Sequence, residues 1–161
     1  MHLTIRDVAA KPKWLAKMSA FLHDAVFFDP PVYNTANRTL GIAIARIGYE
    51  FAVRQQEGFL STWRMPRVAA VLAVSPVSVV RGYEGVPPQD RGDQLLEIGM
   101  AAPTELQVTT DQCTISLFCE GRTTLYLADT SPPSDNLTVT DAGALIVRLD
   151  VIAEIINSTV V

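Results

Sequence analysis

Residues 113–119 read Cys-Thr-Ile-Ser-Leu-Phe-Cys, and every second side chain from the first cysteine to the last is apolar, with Thr114 and Ser116 between. A similar alternation runs with few breaks from residue 94 to residue 128. A period of two places the apolar side chains on one face of a β-strand and the polar ones on the other. The alternation therefore predicts a mainly β fold, at the margin of the α+β class, built from half-buried strands.

A second apolar stretch, from Arg67 to Arg81, lacks this alternation and predicts a long strand that is buried on both faces. An open sheet of one layer cannot bury such a strand, so we expect an antiparallel β-sandwich or a partly closed barrel. At 161 residues the chain has the usual size of one domain. We expect a single domain over residues 1–161, in which a helical segment at 1–24 packs on a β-rich body at 25–157.

The N-terminal segment carries the signals of one or two helices. Thr4 suits an N-cap, with Asp7 at the third helical position. Pro12 suits the first turn of a helix, because a backbone N–H there would have no acceptor within the helix and its absence costs nothing. Apolar side chains then recur at helical spacing and predict an amphipathic helix: Trp14, Leu15, Met18, Phe21 and Leu22.

Three features predict where strands bend or turn. The stretch from Leu40 to Val53 changes phase near Ala45 and Arg46, which predicts a β-bulge or a sharp coil there. Pro76 has no N–H to give to a ladder, so its strand is expected at a sheet edge or bent at that residue. The dipeptide Glu120-Gly121 predicts a tight hairpin turn, with Thr123 to Ala128 as the return strand.

Two other segments are assigned from their composition. Residues 55–65 are polar and contain Gly58, which predicts a connection. Residues 144–156 fit two structures. A helix would place on one stripe Leu145, Leu149, Ile152 and Ile156. A strand, which the β-branched content favours, would place on one face Val147, Leu149, Val151, Ala153 and Ile155.

Charge and hydropathy exclude several classes of protein. A formal charge of −4 and a pI near 5.1 argue against nucleic-acid binding, which needs a basic surface. No apolar stretch after Met1 has the length of a secretory signal. The most apolar run, Val68 to Val80, is shorter than the roughly 20 residues with which a helix crosses a bilayer. We therefore expect a cytoplasmic protein with no membrane partner.

The two cysteines are expected to be free. On one strand, Cys113 and Cys119 would lie roughly 20 Å apart at about 3.3 Å per residue, too far for a disulfide. They are interpreted as small buried hydrophobic residues in a reducing compartment. Together with His2 and His23 they offer no close ligand spacing, so neither a metal nor a cofactor is predicted.

Two sets of residues are candidates for a functional site. His23 beside Asp24 is the acid/base candidate, because imidazole titrates near neutrality and a carboxylate can fix its tautomer. Neighbours on a helix do not face each other, however, and His23 is also explained as a residue that caps a helix end. Arg46, Glu50 and Arg81 are the ligand-binding candidates, either lining a concave site for an anion or lying on a solvated sheet face.

The sequence contains no nucleophile elbow and no glycine-rich phosphate loop. The favoured hypothesis is a non-enzymatic protein-interaction module, such as a small bacterial partner or inhibitor protein. It would associate with a protein partner or with itself, and the apolar stretch at 153–161 could pair across a two-fold axis in a homodimer. The alternatives are a small-molecule-binding β-barrel or sandwich and a small acid/base enzyme that uses His23 with a nearby carboxylate.

Overall fold

The computed structural model describes residues 2–27, 30–83, 93–130 and 132–133. In chain order its elements are β1 (His2–Thr4), α1 (Ile5–Ala10), α2 (Pro12–Leu22), β2 (Val26–Phe27), β3 (Val32–Asn34), β4 (Thr39–Ile47), a 3₁₀ turn (Tyr49–Phe51), β5 (Val53–Glu57), β6 (Leu60–Arg64), β7 (Arg67–Arg81), β8 (Leu95–Ala102), β9 (Glu105–Thr110) and β10 (Thr114–Asp129). The predicted mainly β fold with N-terminal helices is confirmed.

One antiparallel sheet carries the fold, with strand order β2–β4–β7–β10–β9–β8; β3 also pairs with β4, and β1 pairs with the second half of β10. The sheet curls strongly into a half-barrel. Three backbone hydrogen bonds join the segments that lead into β2 and β8: the N–H of Asp24 donates to the carbonyl of Leu95 (2.9 Å), the N–H of Leu95 to Ala25 (2.8 Å), and the N–H of Phe27 to Asp93 (2.8 Å). Of the two predicted architectures, the chain adopts the partly closed barrel.

Helix α2 fills the space inside the half-barrel. Leu15, Met18 and Leu22 lie on its buried face and join the core side chains of the sheet. Burying each such side chain stabilises the fold by about 1.5–3 kcal/mol. The hydroxyl of Ser19 on the same face accepts a hydrogen bond from the N–H of Ile98 on β8 at 2.9 Å. This bond ties the helix to the sheet.

The predicted start of the helical segment is confirmed. The N–H of Asp7 donates to Oγ1 of Thr4 at 3.0 Å, and the N–H of Thr4 donates to Oδ2 of Asp7 at 3.0 Å. These reciprocal bonds form a capping box, which satisfies N–H groups that have no partner inside the helix. Helix α2 begins at Pro12, as expected.

The β-bulge predicted near Arg46 is wrong. β4 pairs with β7 without a register shift from Leu40 to Ile47. The change of phase arises after Gly48, where the 3₁₀ turn separates β4 from β5. Gly48 lies close to the segment just before β7. A Cβ atom at this position would lie 3.0 Å from the carbonyl oxygen of Pro66.

The hairpin turn predicted at Glu120-Gly121 is also wrong. β10 continues through these residues, and both of its halves pair with β7 in the same antiparallel sense. The register shifts between Phe118 and Thr124, so this stretch is an irregular part of one long strand. The N–H of Glu120 donates to Oγ1 of Thr123 at 2.8 Å, which satisfies a backbone donor locally.

Pro76 lies opposite this irregularity, in a strand that has a neighbour on each side. β7 runs between β4 and β10, so it is not an edge strand. Its pairing with β10 jumps from Val77 opposite Cys119 to Ser75 opposite Thr124. Pro76 falls in that gap, where its missing N–H costs no ladder bond.

Cys113 is half-buried and Cys119 is buried, and both are free thiols, as predicted. In the described ranges, neither helix combines the length and the apolar character needed to cross a bilayer. The predictions for the strand or helix at 144–156 and for the pairing of 153–161 lie outside the described residues.

Candidate functional site

A hairpin formed by β5 and β6, together with the residues that flank it, carries most of the exposed large apolar side chains of the described residues. The two strands form a separate two-stranded sheet, with Val53 opposite Arg64 and Glu57 opposite Leu60. Gly58 in the connecting turn has a φ of 63°, a left-handed conformation that glycine adopts without strain. We call residues 53–64 the hairpin arm. Every residue of both strands is exposed.

Eight large apolar side chains are exposed among the described residues, and seven of them lie between residues 49 and 65. These seven are Tyr49, Phe51, Val53, Phe59, Leu60, Trp63 and Met65. The eighth, Leu96, lies on β8. Exposed apolar side chains that gather in one part of a chain are typical of an interaction site, and an isolated two-stranded hairpin is only marginally stable in water. The arm therefore has the composition of a surface that another molecule covers.

The arm also offers open strand edges. Because β5 and β6 pair only with each other in the described structure, one edge of each strand presents backbone N–H and C=O groups to solvent. Its charged residues are Arg54, Glu57 and Arg64. Nε of Arg54 donates to Oγ of Ser61 across the two strands at 2.5 Å. Apolar side chains, open edges and little net charge favour docking onto another protein.

Arg46 forms a second feature, at the end of β4. Its side chain is 2% exposed, and its guanidinium lies over the ring of Phe21, 4.4 Å from the centroid. Nε and Nη2 donate to the two carboxylate oxygens of Asp129 at 2.8 and 2.6 Å. Nη1 donates to Oε2 of Glu50 at 3.1 Å and to the carbonyl of Ile47 at 3.2 Å, and Nη2 also donates to Oε1 of Glu50. All five N–H groups are thereby used.

These bonds set the charge states of the cluster. Burial alone would lower the pKa of Arg46, but its hydrogen bonds to Asp129 and Glu50 outweigh that effect and raise it. The hydrogen bond that Glu50 accepts from Arg46 lowers the pKa of Glu50 below its ordinary value. Because no guanidinium N–H remains for a bound anion, the cluster joins β4, the 3₁₀ turn and β10 rather than presenting a donor to a ligand.

Arg81 lies far from this cluster. It pairs with Ser116 at one end of β7, whereas Arg46 is opposite Val68 near the other end. The stretch from Val68 to Arg81 covers roughly 40 Å along the strand at about 3.3 Å per residue. The guanidinium of Arg81 lies over the ring of Phe118, 5.6 Å from its centroid. The structure thus brings Arg46 and Glu50 together but leaves Arg81 elsewhere.

His23 and Asp24 do come together, although neighbours on a helix would not. Helix α2 ends at Leu22, and Asp24 has a φ of 66°, so the pair lies in a turn. Nδ1 of His23 is 3.1 Å from Oδ1 of Asp24. That oxygen also accepts a bond from Nε2 of Gln94 at 2.6 Å, and the Asp24 carbonyl accepts one from Nη1 of Arg67 at 2.9 Å. The carboxylate is therefore held in place beside the imidazole.

His23 lines a groove of about 510 Å³ between α2 and β8. Ser19 and Glu97 also line this groove, and most of its remaining walls are apolar. Asp24 is not among the lining residues, so it contacts the imidazole from outside the groove. This arrangement can orient His23 as a hydrogen-bonding group for a small molecule. No group of three potential metal ligands occurs in the described part of the chain.

Sequence reasoning missed the arm by assigning residues 55–65 to a connection. A signal was present, since the segment contains four large apolar residues, Phe59, Leu60, Trp63 and Met65, and Gly58 lies at a turn between two short stretches. Exposed strands are hard to recognise from sequence because they lack the alternation that burial on one face produces.

Comparisons of the chain with protein-family models, curated proteins and solved structures find no match. The function is therefore inferred from the surfaces of the molecule.

Proposed function

We propose that the protein is a non-enzymatic protein-interaction module and that the hairpin arm is its docking element. The observation that carries this proposal is the gathering of seven of the eight exposed large apolar side chains of the described residues at positions 49–65. Covering such surface is favourable by about 25 cal/mol per Å². Trp63 is 62% exposed, and tryptophan is among the residues that contribute most to binding when a partner buries them.

The partner that we propose is a second copy of this chain. Two-fold dimers are the commonest oligomers of soluble proteins. Two arms related by such an axis can pair edge to edge as antiparallel strands and satisfy each other's open backbone groups. The arm carries two arginines and one glutamate, so two copies repel each other only weakly.

Light scattering tests this assembly directly. The full chain should show twice the monomer mass of 17.5 kDa at high concentration and dissociate on dilution. The double variant Leu60→Ser, Trp63→Ser should stay monomeric, because two anchors of the arm are lost. Leu96→Ser is the matched control, since it removes an exposed apolar side chain outside the arm, and it should dimerise normally.

Two results would count against the proposal. A wild-type chain that is monomeric at every concentration excludes the second copy as partner, and an unchanged mass for the double variant excludes the arm as the interface. Binding of the wild type, but not of the double variant, to vesicles of neutral phospholipid would make the arm a membrane contact instead.

The groove beside α2 supports a second candidate function, the binding of a small molecule. Its volume of about 510 Å³ lies in the range of ligand pockets, which combine apolar walls with a few polar groups. His23, oriented by Asp24, would be the polar group that contacts the ligand. An acid/base reaction at His23 stays a prediction from the sequence.

Filling the groove tests this candidate. An apolar fluorescent probe, anilinonaphthalene sulfonate, should brighten on binding the wild-type chain. Ala20→Trp should abolish the signal, because Ala20 is exposed and lines the groove. Lys17→Trp places the same side chain at an exposed helical position outside the lining and should leave the signal intact. Equal signals from both variants would contradict binding in this groove.

We also propose a cytoplasmic location. The support for it is the pair of free thiols, Cys113 and Cys119, because unpaired cysteines are usual in reducing compartments.

A further inference from the structure

The groove between α2 and β8 continues into a second cavity of about 310 Å³ beside α1. The two spaces adjoin, because Val8, Pro12 and Met100 line both of them. Glu97 lines the groove and Ala102 lines the second cavity, and the stretch of β8 between these residues covers roughly 17 Å at about 3.3 Å per residue. We call the combined space the channel. Its elongated form suits an extended alkyl chain.

The two ends of the channel differ in polarity. The N–H of Asp24, just after α2, donates to the carbonyl of Leu95 at the start of β8 at 2.9 Å, whereas Pro12 at the start of α2 lines the same cavity as Ala102 at the end of β8. The helix and the strand therefore run in opposite directions along the channel. The second cavity has only apolar walls, and the polar side chains lie toward the other end: Ser19, His23 and Glu97.

Glu97 gives the polar end a negative charge. Among the described residues that line the channel, it is the only one with a formal charge when His23 is neutral. Lys13 and Lys17 are exposed on α2 and line neither cavity. Oδ1 of Asp24 lies 3.1 Å from Nδ1 of His23 and adds a second carboxylate next to this end. The polar end of the channel therefore favours a cation.

The three polar side chains can all accept hydrogen bonds from a ligand. The carboxylate of Glu97 is an acceptor only. With Nδ1 of His23 engaged by Asp24, a neutral imidazole offers Nε2 as an acceptor. Oγ of Ser19 accepts one bond from the N–H of Ile98 at 2.9 Å and has a second lone pair. A primary ammonium group has N–H donors and no acceptor, so it complements these groups.

We propose that the channel binds a primary amine with one alkyl chain, with the ammonium group beside Glu97 and the chain in the second cavity. This inference rests on the proposed binding of a small molecule in the groove, and it names the class of that molecule. A fatty acid of the same length would place a second negative charge beside Glu97 and is disfavoured. The apolar walls of the second cavity bury the tail in either case.

Isothermal titration calorimetry with two probes of equal tail length tests the head group. Decylammonium chloride and sodium decanoate are each titrated into the full chain below their micelle-forming concentrations. Decylammonium should bind about tenfold more tightly, because the exposed carboxylate of Glu97 attracts one head group and repels the other. Glu97→Gln should bring the two affinities to within about twofold of each other. Glu105→Gln is the matched control, since it removes the same charge outside the channel, and it should keep the difference.

A second pair of variants tests the position of the tail. Ala9 is exposed on α1 and lines the second cavity, whereas Ala10 is exposed on the same helix and lines neither cavity. Ala9→Trp should weaken the binding of decylammonium by about tenfold or more, because the indole occupies the space in which the tail loses its contact with water. Ala10→Trp should bind decylammonium as the wild type does.

Three results would overturn the proposal. Equal affinities of the wild type for the two probes, or tighter binding of decanoate, mean that Glu97 does not select a cation; if anilinonaphthalene sulfonate still brightens in the groove, the binding of a small molecule stands and only its class is wrong. If neither probe binds and the dye does not brighten, the function proposed for the groove fails as well. Unchanged binding of decylammonium by Ala9→Trp places the tail outside the second cavity.

Discussion

Arg46 is a buried charge that is stabilised by one carboxylate distant in the chain and one close to it. Its guanidinium bonds both carboxylate oxygens of Asp129, which is 83 positions away. Glu50, four positions away, supplies a second carboxylate. A buried ion is tolerated only when such partners offset the loss of hydration. The nearby partner could be anticipated from the sequence, but the distant one depends on β10 lying two strands away in the sheet.

Replacement of Arg46 should show this dependence. Arg46→Met should lower the free energy of unfolding by about 1–2 kcal/mol, because the hydrogen bonds to two carboxylates are lost while those half-exposed groups regain water. Arg46→Lys should recover little of it, since an ammonium cannot bond two carboxylates in the bidentate manner of a guanidinium. Urea unfolding followed by circular dichroism measures both. A loss below about 0.5 kcal/mol for Arg46→Met, the range of surface substitutions, would show that the cluster contributes little to stability.

Glu50 should make part of this stability depend on pH. The hydrogen bond from Arg46 lowers the pKa of Glu50 below its ordinary 4.5. The stabilisation is therefore complete above about pH 4.5 and is lost as the pH falls through the lowered pKa. Because Glu50 is 40% exposed, solvent screening limits the effect to under about 1 kcal/mol. The stability difference between wild type and Glu50→Gln at about pH 7 should shrink at about pH 3; a constant difference would contradict this linkage.

Individual elements differ in how far the sequence predicts them. Helix α2 begins at Pro12 and buries its predicted stripe, because a helix is specified by residues close in the chain. The turn predicted at Glu120-Gly121 did not form, since pairing of β10 with the distant β7 along both halves outweighs a local turn preference. The arm was missed because its strands lie in solvent on both faces. Among the candidate site residues, the side chains of His23 and Asp24 contact each other only because helix α2 ends at Leu22, which leaves both residues in the turn that follows.

The junction of β7 and β10 should depend on Gly82. This residue has a φ of 96°, and a Cβ atom there would lie 2.0 Å from the carbonyl oxygen of Thr114, where β10 begins. Gly82→Ala should therefore destabilise the protein by about 2 kcal/mol or more, through backbone strain and steric overlap. Gly121→Ala is the control, because a Cβ there meets no atom within 4 Å. Its unfolding midpoint in urea should match the wild type, and equal midpoints for both variants would refute the predicted overlap.

At the scale of the whole molecule, the fold separates a packed body from an exposed arm. The sheet curls around α2 until the segments before β2 and β8 meet through backbone hydrogen bonds. The alternation of apolar and polar residues along the strands predicted that a sheet would close over a core. It could not give the register of the strands or the residues at which the sheet edges meet, because those depend on contacts between distant strands. Seven of the eight large apolar side chains that are exposed in the described residues lie in the arm or within four residues of it.

Hydrogen exchange of the full chain at two concentrations tests most directly whether the arm is the docking element. The amides of residues 53–64 should exchange more slowly in the concentrated sample, because paired arms bury each other's strand edges, while the amides of β8 should exchange at the same rate in both samples. Equal exchange of the arm at both concentrations, or protection that appears only outside it, would contradict the proposed role of the arm.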